Sequence, residues 1–174
     1  MLNSSVPKNE FDINTLVNHY GDNLLRLCFL YLHDYHSAED AVQETFIKAY
    51  RNIDKFRGEA DIKTWLTSIA VNECKSQLRK KKYKNLFAIT EMDKNTPYYD
   101  KVFDDTVINA VCSLKPKYKE VILLFYYQEM KAKDIANILN ISESAVTTAK
   151  QESNKIRFKS TNFHLYVVKF SLNT

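Results

Sequence analysis

The side chains able to do chemistry are few and scattered. Histidines stand at His19, His33, His36 and His164. His33 and His36 are three apart in a predicted turn with no Cys or acid at ligand spacing, so no metal is expected there. Cys28, Cys74 and Cys112 lie far apart, each in a helical, partly apolar stretch. That spacing fits neither a disulfide framework nor a zinc site, and points to buried free thiols in a reducing compartment. Glu39 and Asp40 flank an amphipathic helix and form no buried acid–base pair. No GxGxxG or GK[ST] phosphate loop occurs. No catalytic residue, cofactor or small-molecule substrate is expected, and the chain does not read as an enzyme.

Charged surface remains. Lys and Arg total 25 against 21 Asp and Glu, a net charge of +4. The placement matters more than the sum. Lys75, Arg79, Lys80, Lys81, Lys82 and Lys84 form the densest basic run, and Asp93, Asp100, Asp104 and Asp105 follow in an acidic stretch. Cations in such a run neutralise phosphates and release condensed counterions. The pattern suggests a nucleic-acid face beside a linker. The alternative is a solvated helix end, where lysines suit the helix dipole.

The elements that position these groups are helical. With two glycines, three prolines and 45% apolar residues, the chain suits long periodic segments rather than a sandwich of tight turns. Phe11–Tyr20 and Asp22–Leu32 predict two helices with a bend at Gly21. Ala38–Phe56 predicts the central one, with Ser37 as its N-cap. Ala38, Ala41, Val42, Phe46, Ala49 and Tyr50 line its apolar face, and Glu39, Asp40, Gln43, Glu44, Lys48 and Arg51 the other. That helix is either a plain surface helix or a docking helix for a protein partner. Ile62–Lys82 continues the spacing through Trp65, Leu66, Ile69, Ala70, Cys74 and Leu78. Pro116 fits the first turn of a helix through Tyr118, Val121, Ile122 and Phe125. Lys133–Leu139, a turn at Asn140–Ser142 and a helix from Glu143 to Phe158 capped by Ser142 make a helix-turn-helix. Ile135, Ala136, Leu139, Ile141 and Val146 sit at its packing positions. The expected fold is all-α: two small helical domains, residues 11–86 and 106–160, joined by a flexible linker over 87–105. An apolar tail follows over 161–174. Neither a signal peptide nor a membrane span is expected.

The stretch Ala38-Glu39-Asp40-Ala41-Val42-Gln43-Glu44-Thr45-Phe46 resembles the most typical segment of the bacterial RNA polymerase sigma-70 family, in its extracytoplasmic-function (ECF) branch. Thr64-Trp65-Leu66, Ile69-Ala70, Asn72 and Arg79 match the helix that follows, and the helix-turn-helix resembles the family's −35-reading domain. The resemblance covers roughly Leu16–Lys84 and Val107–Arg157. It implies an alternative sigma factor that binds core polymerase, directs it to promoters and starts melting the duplex. Core contacts would come from Asp40, Gln43, Glu44, Phe46 and Lys48, docking on the clamp helices of the largest subunit, with the second domain near the beta flap. The −10 element would meet Phe56, Arg57, Gly58, Asp61, Lys63, Asn72, Lys75, Arg79, Lys80 and Lys82. The loop Phe56–Asp61 and the start of the next helix would form the base pocket, with Trp65 either a stacking group or a core residue. The −35 element would meet Ser144, Thr147, Thr148, Lys150 and Lys155.

The family also implies promoter DNA and an anti-sigma factor as partners, and a cytoplasmic place with the nucleoid or at the inner face of the membrane. Two departures stand out. Ser76 replaces an acid usual in the family. The recognition helix, usually beginning Thr-Val-Lys-Ser-Arg-Leu, here reads Ala145-Val146-Thr147-Thr148-Ala149-Lys150, with most basic residues gone. Lys150 falls where an apolar side chain is usual. Two other readings are a helix-turn-helix regulator that acts without polymerase, and a degenerate sigma-like protein acting through protein contacts.

Overall fold

The structure, a computed structural model, describes residues 12–56, 58, 60–84 and 114–157. The expected linker, the apolar tail, Cys112, Arg57 and the helix start at Thr106–Ser113 lie outside the described residues. The chain divides into two compact units, Met1–Tyr98 and Tyr99–Thr174. Every described element is helical.

The first unit holds α1 (Ile13–Leu32), α2 (Tyr35–Asn52), a 3-10 turn (Ile53–Lys55) and α3 (Ile62–Lys84). Each of the three helices packs on the other two. Two expected helices are in fact one, because α1 runs through Gly21 without a break. A helix interior accepts glycine at a modest cost of about 1 kcal/mol. Asp12 caps α1, its carboxylate accepting from the Asn14 N–H at 2.9 Å and the Thr15 hydroxyl at 2.7 Å. His33 ends the helix in the left-handed conformation at φ 57°.

The α2 cap also differs from expectation. The cap is Asp34 rather than Ser37; its carboxylate accepts from the Ser37 N–H at 2.6 Å, so the helix opens three residues earlier. Ala38, Ala41, Phe46 and Ala49 are buried as their spacing predicts. Tyr50 is 48% exposed, since one residue beyond Ala49 turns it about 100° off the buried stripe. Thr45 takes an inward position with no exposure; its hydroxyl donates to the Ala41 carbonyl at 2.7 Å, which removes the desolvation penalty. Leu24, Leu27, Phe29, Ile53, Leu66 and Val71 complete the core. Leu78, expected inside, is 40% exposed near the end of α3.

The second unit holds α4 (Pro116–Ile122), which widens into a π turn over Leu123–Tyr127, then α5 (Ala132–Leu139) and α6 (Glu143–Arg157). Pro116 sits in the first turn of α4, where its missing N–H leaves no bond unmade. The Gln128 N–H reaches back five residues to the Leu123 carbonyl at 3.1 Å, which defines the wider turn. Asn140, at φ 54°, closes α5, and the Ile141 N–H donates to the Ala136 carbonyl at 3.0 Å. Ser142 caps α6 as expected, its hydroxyl accepting from the Ala145 N–H at 3.1 Å. Ile135, Ala136 and Val146 are buried between α5 and α6; Ile141, expected to pack there, is 40% exposed.

Candidate functional site

The seam between α2 and α3 carries most of the chemistry of the first unit. Asp40 and Gln43 are exposed on α2 and Glu44 is half-exposed. They border a recess of about 540 Å³ that Ile47, Lys48, Glu73 and Lys80 complete. Phe46 points the other way: at 7% exposure it belongs to the core, so it supports the helix from beneath rather than offering surface. Lys48 is not a free surface cation either. Its ammonium donates to the carboxylate of Glu73, 25 residues away on α3, and lies 3.6 Å from Glu44. The hydrogen bond to Glu73 is the main reason its pKa is raised above the ordinary value. Glu73 is nearly buried, and this partner is what makes its carboxylate tolerable there.

A second recess, of about 390 Å³, opens across the same pair. Trp65, Ile69 and Asn72 from α3 face Asn52 and Lys55 from the end of α2 and its 3-10 turn, with Lys48, Glu73 and Ser76 forming the shared wall. Trp65 is half-buried, and its ring leans on Phe56 at 5.0 Å between centroids, tilted 37°. It is therefore neither a full core residue nor a free one: one part packs and another lines the recess. Asn52 is held in place, donating to the Lys48 carbonyl and accepting from the Lys55 ammonium, both at 2.9 Å. Ile69, Asn52 and Lys55 are recess residues that sequence spacing left out of the site; Trp65, weighed there as a stacking group or a core residue, joins them. They come from three elements, α2, its 3-10 turn and α3, and only the packing brings them to one place.

The loop from α2 to α3 contributes through its ends. Asp61 opens α3, its carboxylate accepting from the Lys63 N–H at 3.2 Å and its carbonyl from the Trp65 N–H at 3.0 Å. Partial burial and the nearby Asp61 carboxylate together push the Tyr20 phenol of α1 above its ordinary pKa. Gly58 sits at φ +68° with open space where a Cβ would be, so the backbone shape, not crowding, requires glycine. Further along α3, Lys75 is half-exposed, and Arg79 and Lys80 are exposed; Lys82 belongs to α3, but its side chain lies outside the described residues. The described part of the predicted −10 group thus falls into three sets: Phe56, Gly58, Asp61 and Lys63 at the loop and the start of α3, Asn72 in the recess, and a basic strip along the end of α3.

Behind this seam, Cys28 of α1 and Cys74 of α3 meet in the core as free thiols. Contact with Cys74, followed by burial, drives the Cys28 thiol well above its ordinary pKa. Such thiols behave as small apolar groups.

In the second unit Ser144, Thr147 and Thr148 lie exposed on α6. Lys150, expected at the DNA, instead places its ammonium 3.6 Å from the centroid of the Phe125 ring on the π turn. The cation covers an aromatic face at the position where an apolar side chain is usual. Lys155 is on α6, but its side chain is outside the described residues. Among the described residues, no group of three His, Cys, Asp or Glu could hold a metal, and no helix is long and apolar enough to cross a membrane.

The chain matches the family model Sigma-70 region 2 over residues 16–83 and Sigma-70, region 4 over residues 104–152. It is 34% identical to the ECF RNA polymerase sigma factor SigW of Bacillus subtilis over 149 residues, 76% of this chain and 80% of that protein. It is 30% identical to the RNA polymerase sigma factor YlaC of the same organism, over 81% of this chain and 87% of that one. The fold is similar to that of the sigma factor RpoE from Bartonella quintana, solved with the anti-sigma factor NepR. That likeness has a TM-score of 0.71 at 22% identity, covering 82% of this chain and 91% of that one. With both regions matched in order and helices arranged as these regions require, the chain belongs to the ECF branch of the sigma-70 family, whose members direct RNA polymerase to promoters.

Proposed function

We propose that the polar face of α2 docks on core RNA polymerase and that the recess beside it takes an unpaired base of the −10 element. The observation that carries this reading is the pair of recesses with one common wall. The outer one is acidic at Asp40 and Glu44 and open to a protein partner. The inner one combines a half-buried indole with an exposed Asn72 and the amide of Asn52. A flipped base needs an aromatic surface to stack on and amides to read its edge. Lys75, Arg79 and Lys80, further along α3, then hold the phosphates. The second unit reads the −35 element with α6, near the beta flap.

An anti-sigma factor is the expected inhibitor, in the manner of the partner in the RpoE complex. It would cover the docking face and keep the factor inactive in the cytoplasm or at the inner face of the membrane. The deciding experiment is transcription from promoter templates with purified core polymerase, with and without the chain. Promoter-specific transcripts that depend on the chain are expected. Asp40→Lys should reduce capture of core polymerase about tenfold or more while leaving the unfolding midpoint within about 0.5 kcal/mol, because Asp40 is exposed. Normal capture by that variant would remove α2 from the interface.

A further inference from the structure

The recognition helix has an unusual chemical surface, and the hydrogen bonds say what is left to contact DNA. A helix of this kind reads bases with the residues of its first turns. In α6, Val146 and Ala149 face inward, and Ser144, Ala145, Thr147, Thr148 and Gln151 are exposed. The Thr147 hydroxyl donates to the Glu143 carbonyl at 3.1 Å, and the Thr148 hydroxyl donates to the Ser144 carbonyl at 2.9 Å. The Ser144 hydroxyl shares a 2.9 Å hydrogen bond with Ser142, which itself caps the helix. The threonine protons are thus committed to the helix's own backbone. What these threonines offer outward is methyl groups and oxygen lone pairs. Ala145 adds a methyl, and Glu143 is an acceptor only. Lys150, the cation within these turns, rests on Phe125.

The base edges can be matched to this surface. Guanine presents O6 and N7, two acceptors, and is normally read by the donor fork of Arg or by Lys. This face has no such donor among its described residues. Thymine presents a methyl group, which packs against Ala or Thr methyls, and adenine presents N6 and N7, which a Gln amide reads with both its atoms. Gln151 is exposed on the same face.

We propose that α6 reads A·T pairs in the −35 element, through thymine methyls against Ala145, Thr147 and Thr148 and the adenine edge against Gln151, and that its first two turns make no Arg or Lys contact to guanine. The inference rests on the reading of the second unit as the −35 domain.

The test uses the full chain with core polymerase and a template library that has a fixed −10 element and randomised −35 bases. Transcribed templates should be enriched in A·T at adjacent −35 positions. Replacing thymidine by 2′-deoxyuridine there deletes only the methyl and should weaken promoter binding about fourfold per methyl, the worth of one buried CH2 group. Because that change is made in the DNA, the fold of the protein is not at stake. Thr147→Arg should move one position to guanine by about tenfold, the discrimination of one bidentate pair. Guanine enrichment with the unaltered chain would overturn the inference. So would indifference to deoxyuridine, or a −35 left random while −10 changes still abolish transcription. Absence of any −10-dependent transcript would instead sink the sigma-factor reading, and the inference with it.

Discussion

The α2–α3 seam of the first unit and the surroundings of the π turn in the second treat their polar groups in opposite ways. In the first, the polar atoms along the α2–α3 seam are paired with one another: Lys48 joins Glu73 and Glu44, and Asn52 joins Lys55. The pairing fixes the walls of two recesses and leaves Asp40, Gln43 and Asn72 outward with little left to reorganise. Around the π turn of the second unit, two polar side chains, Gln128 and Lys150, are turned onto the packing instead. Gln128 is 1% exposed, and neither amide atom has a hydrogen-bond partner. Lys150 lies on an aromatic ring instead of reaching outward. A surface with its supports in place can bind tightly with few contacts, because less ordering remains to be done. With Lys150 on Phe125, α6 offers one cation fewer to phosphates within its first two turns. The expected outcome is a stronger promoter grip in the first unit than in the second.

The sharpest way to separate fold from DNA contact in the second unit is a pair of neighbouring substitutions. Ala149 is 7% exposed, so Ala149→Lys forces a long cation against α6's packing face and should cost about 2–3 kcal/mol. Thr147→Lys places the same charge on the exposed face. It should leave stability nearly unchanged, tighten DNA binding and steepen the log–log salt slope by about 0.9, one phosphate contact. Restoring charge at position 149 is therefore not expected to repair the helix, contrary to what alignment of Ala149 with the Arg of Thr-Val-Lys-Ser-Arg-Leu suggests. Denaturant titration and a salt series of binding measurements check both halves.

In the first unit the corresponding break is Lys48→Met. It strands the Glu73 carboxylate, whose side chain is only 8% exposed, and should cost about 2 kcal/mol; the value is tempered because the Lys48 side chain is 44% exposed. Glu73→Gln in the same chain should recover much of that loss, and a double-mutant cycle reads the coupling. The pH dependence has a definite sign. The folded-state pKa of Lys48 is raised above its ordinary 10.5, so its contribution is complete below that value and is lost as pH climbs through the folded one. Stability of wild type and Lys48→Met should converge only at strongly alkaline pH. A constant difference through that range would show that the ion pair is not what joins α2 to α3.

The inward polar groups of the second unit give smaller effects. Gln128→Met keeps the volume and removes two unpaired buried atoms, so it should stabilise α4 and α5 by about 1 kcal/mol, read by hydrogen exchange in the full chain. Destabilisation would mean that Gln128 is satisfied by a bound water. Lys150→Met should cost about 0.5 kcal/mol, the worth of an exposed cation–π contact, and leave the salt slope of DNA binding unmoved. A flatter slope would return Lys150 to the phosphates.

Periodicity made much of this architecture legible. The Ala38–Ala41–Phe46–Ala49 face, the helix beginning at Ile62, the Pro116 start and the Asn140–Ser142 turn all follow from side-chain spacing and cap chemistry, which act within about one helical turn. The same local logic missed where it had two acceptable answers. Asp34 and Ser37 are both good caps, and the earlier one lets α2 gain three residues. Gly21 can break a helix or sit inside one, and in α1 it sits inside.

What the sequence determined alone was the set of helices, the order of the two units and the residue types on each face, because these depend on neighbours three and four positions away. Tertiary structure decided which of those residues are available to act. Lys48 is claimed by Glu73, Lys150 by Phe125 and Phe46 by the core, while Trp65 is left half open beside Asn52. Each partner lies on another element, 13 to 25 residues distant in the cases of Trp65 with Asn52 and Lys48 with Glu73. No local pattern encodes such a pairing: it is fixed when the apolar stripes of different helices are buried against each other and their polar margins are brought within hydrogen-bonding reach.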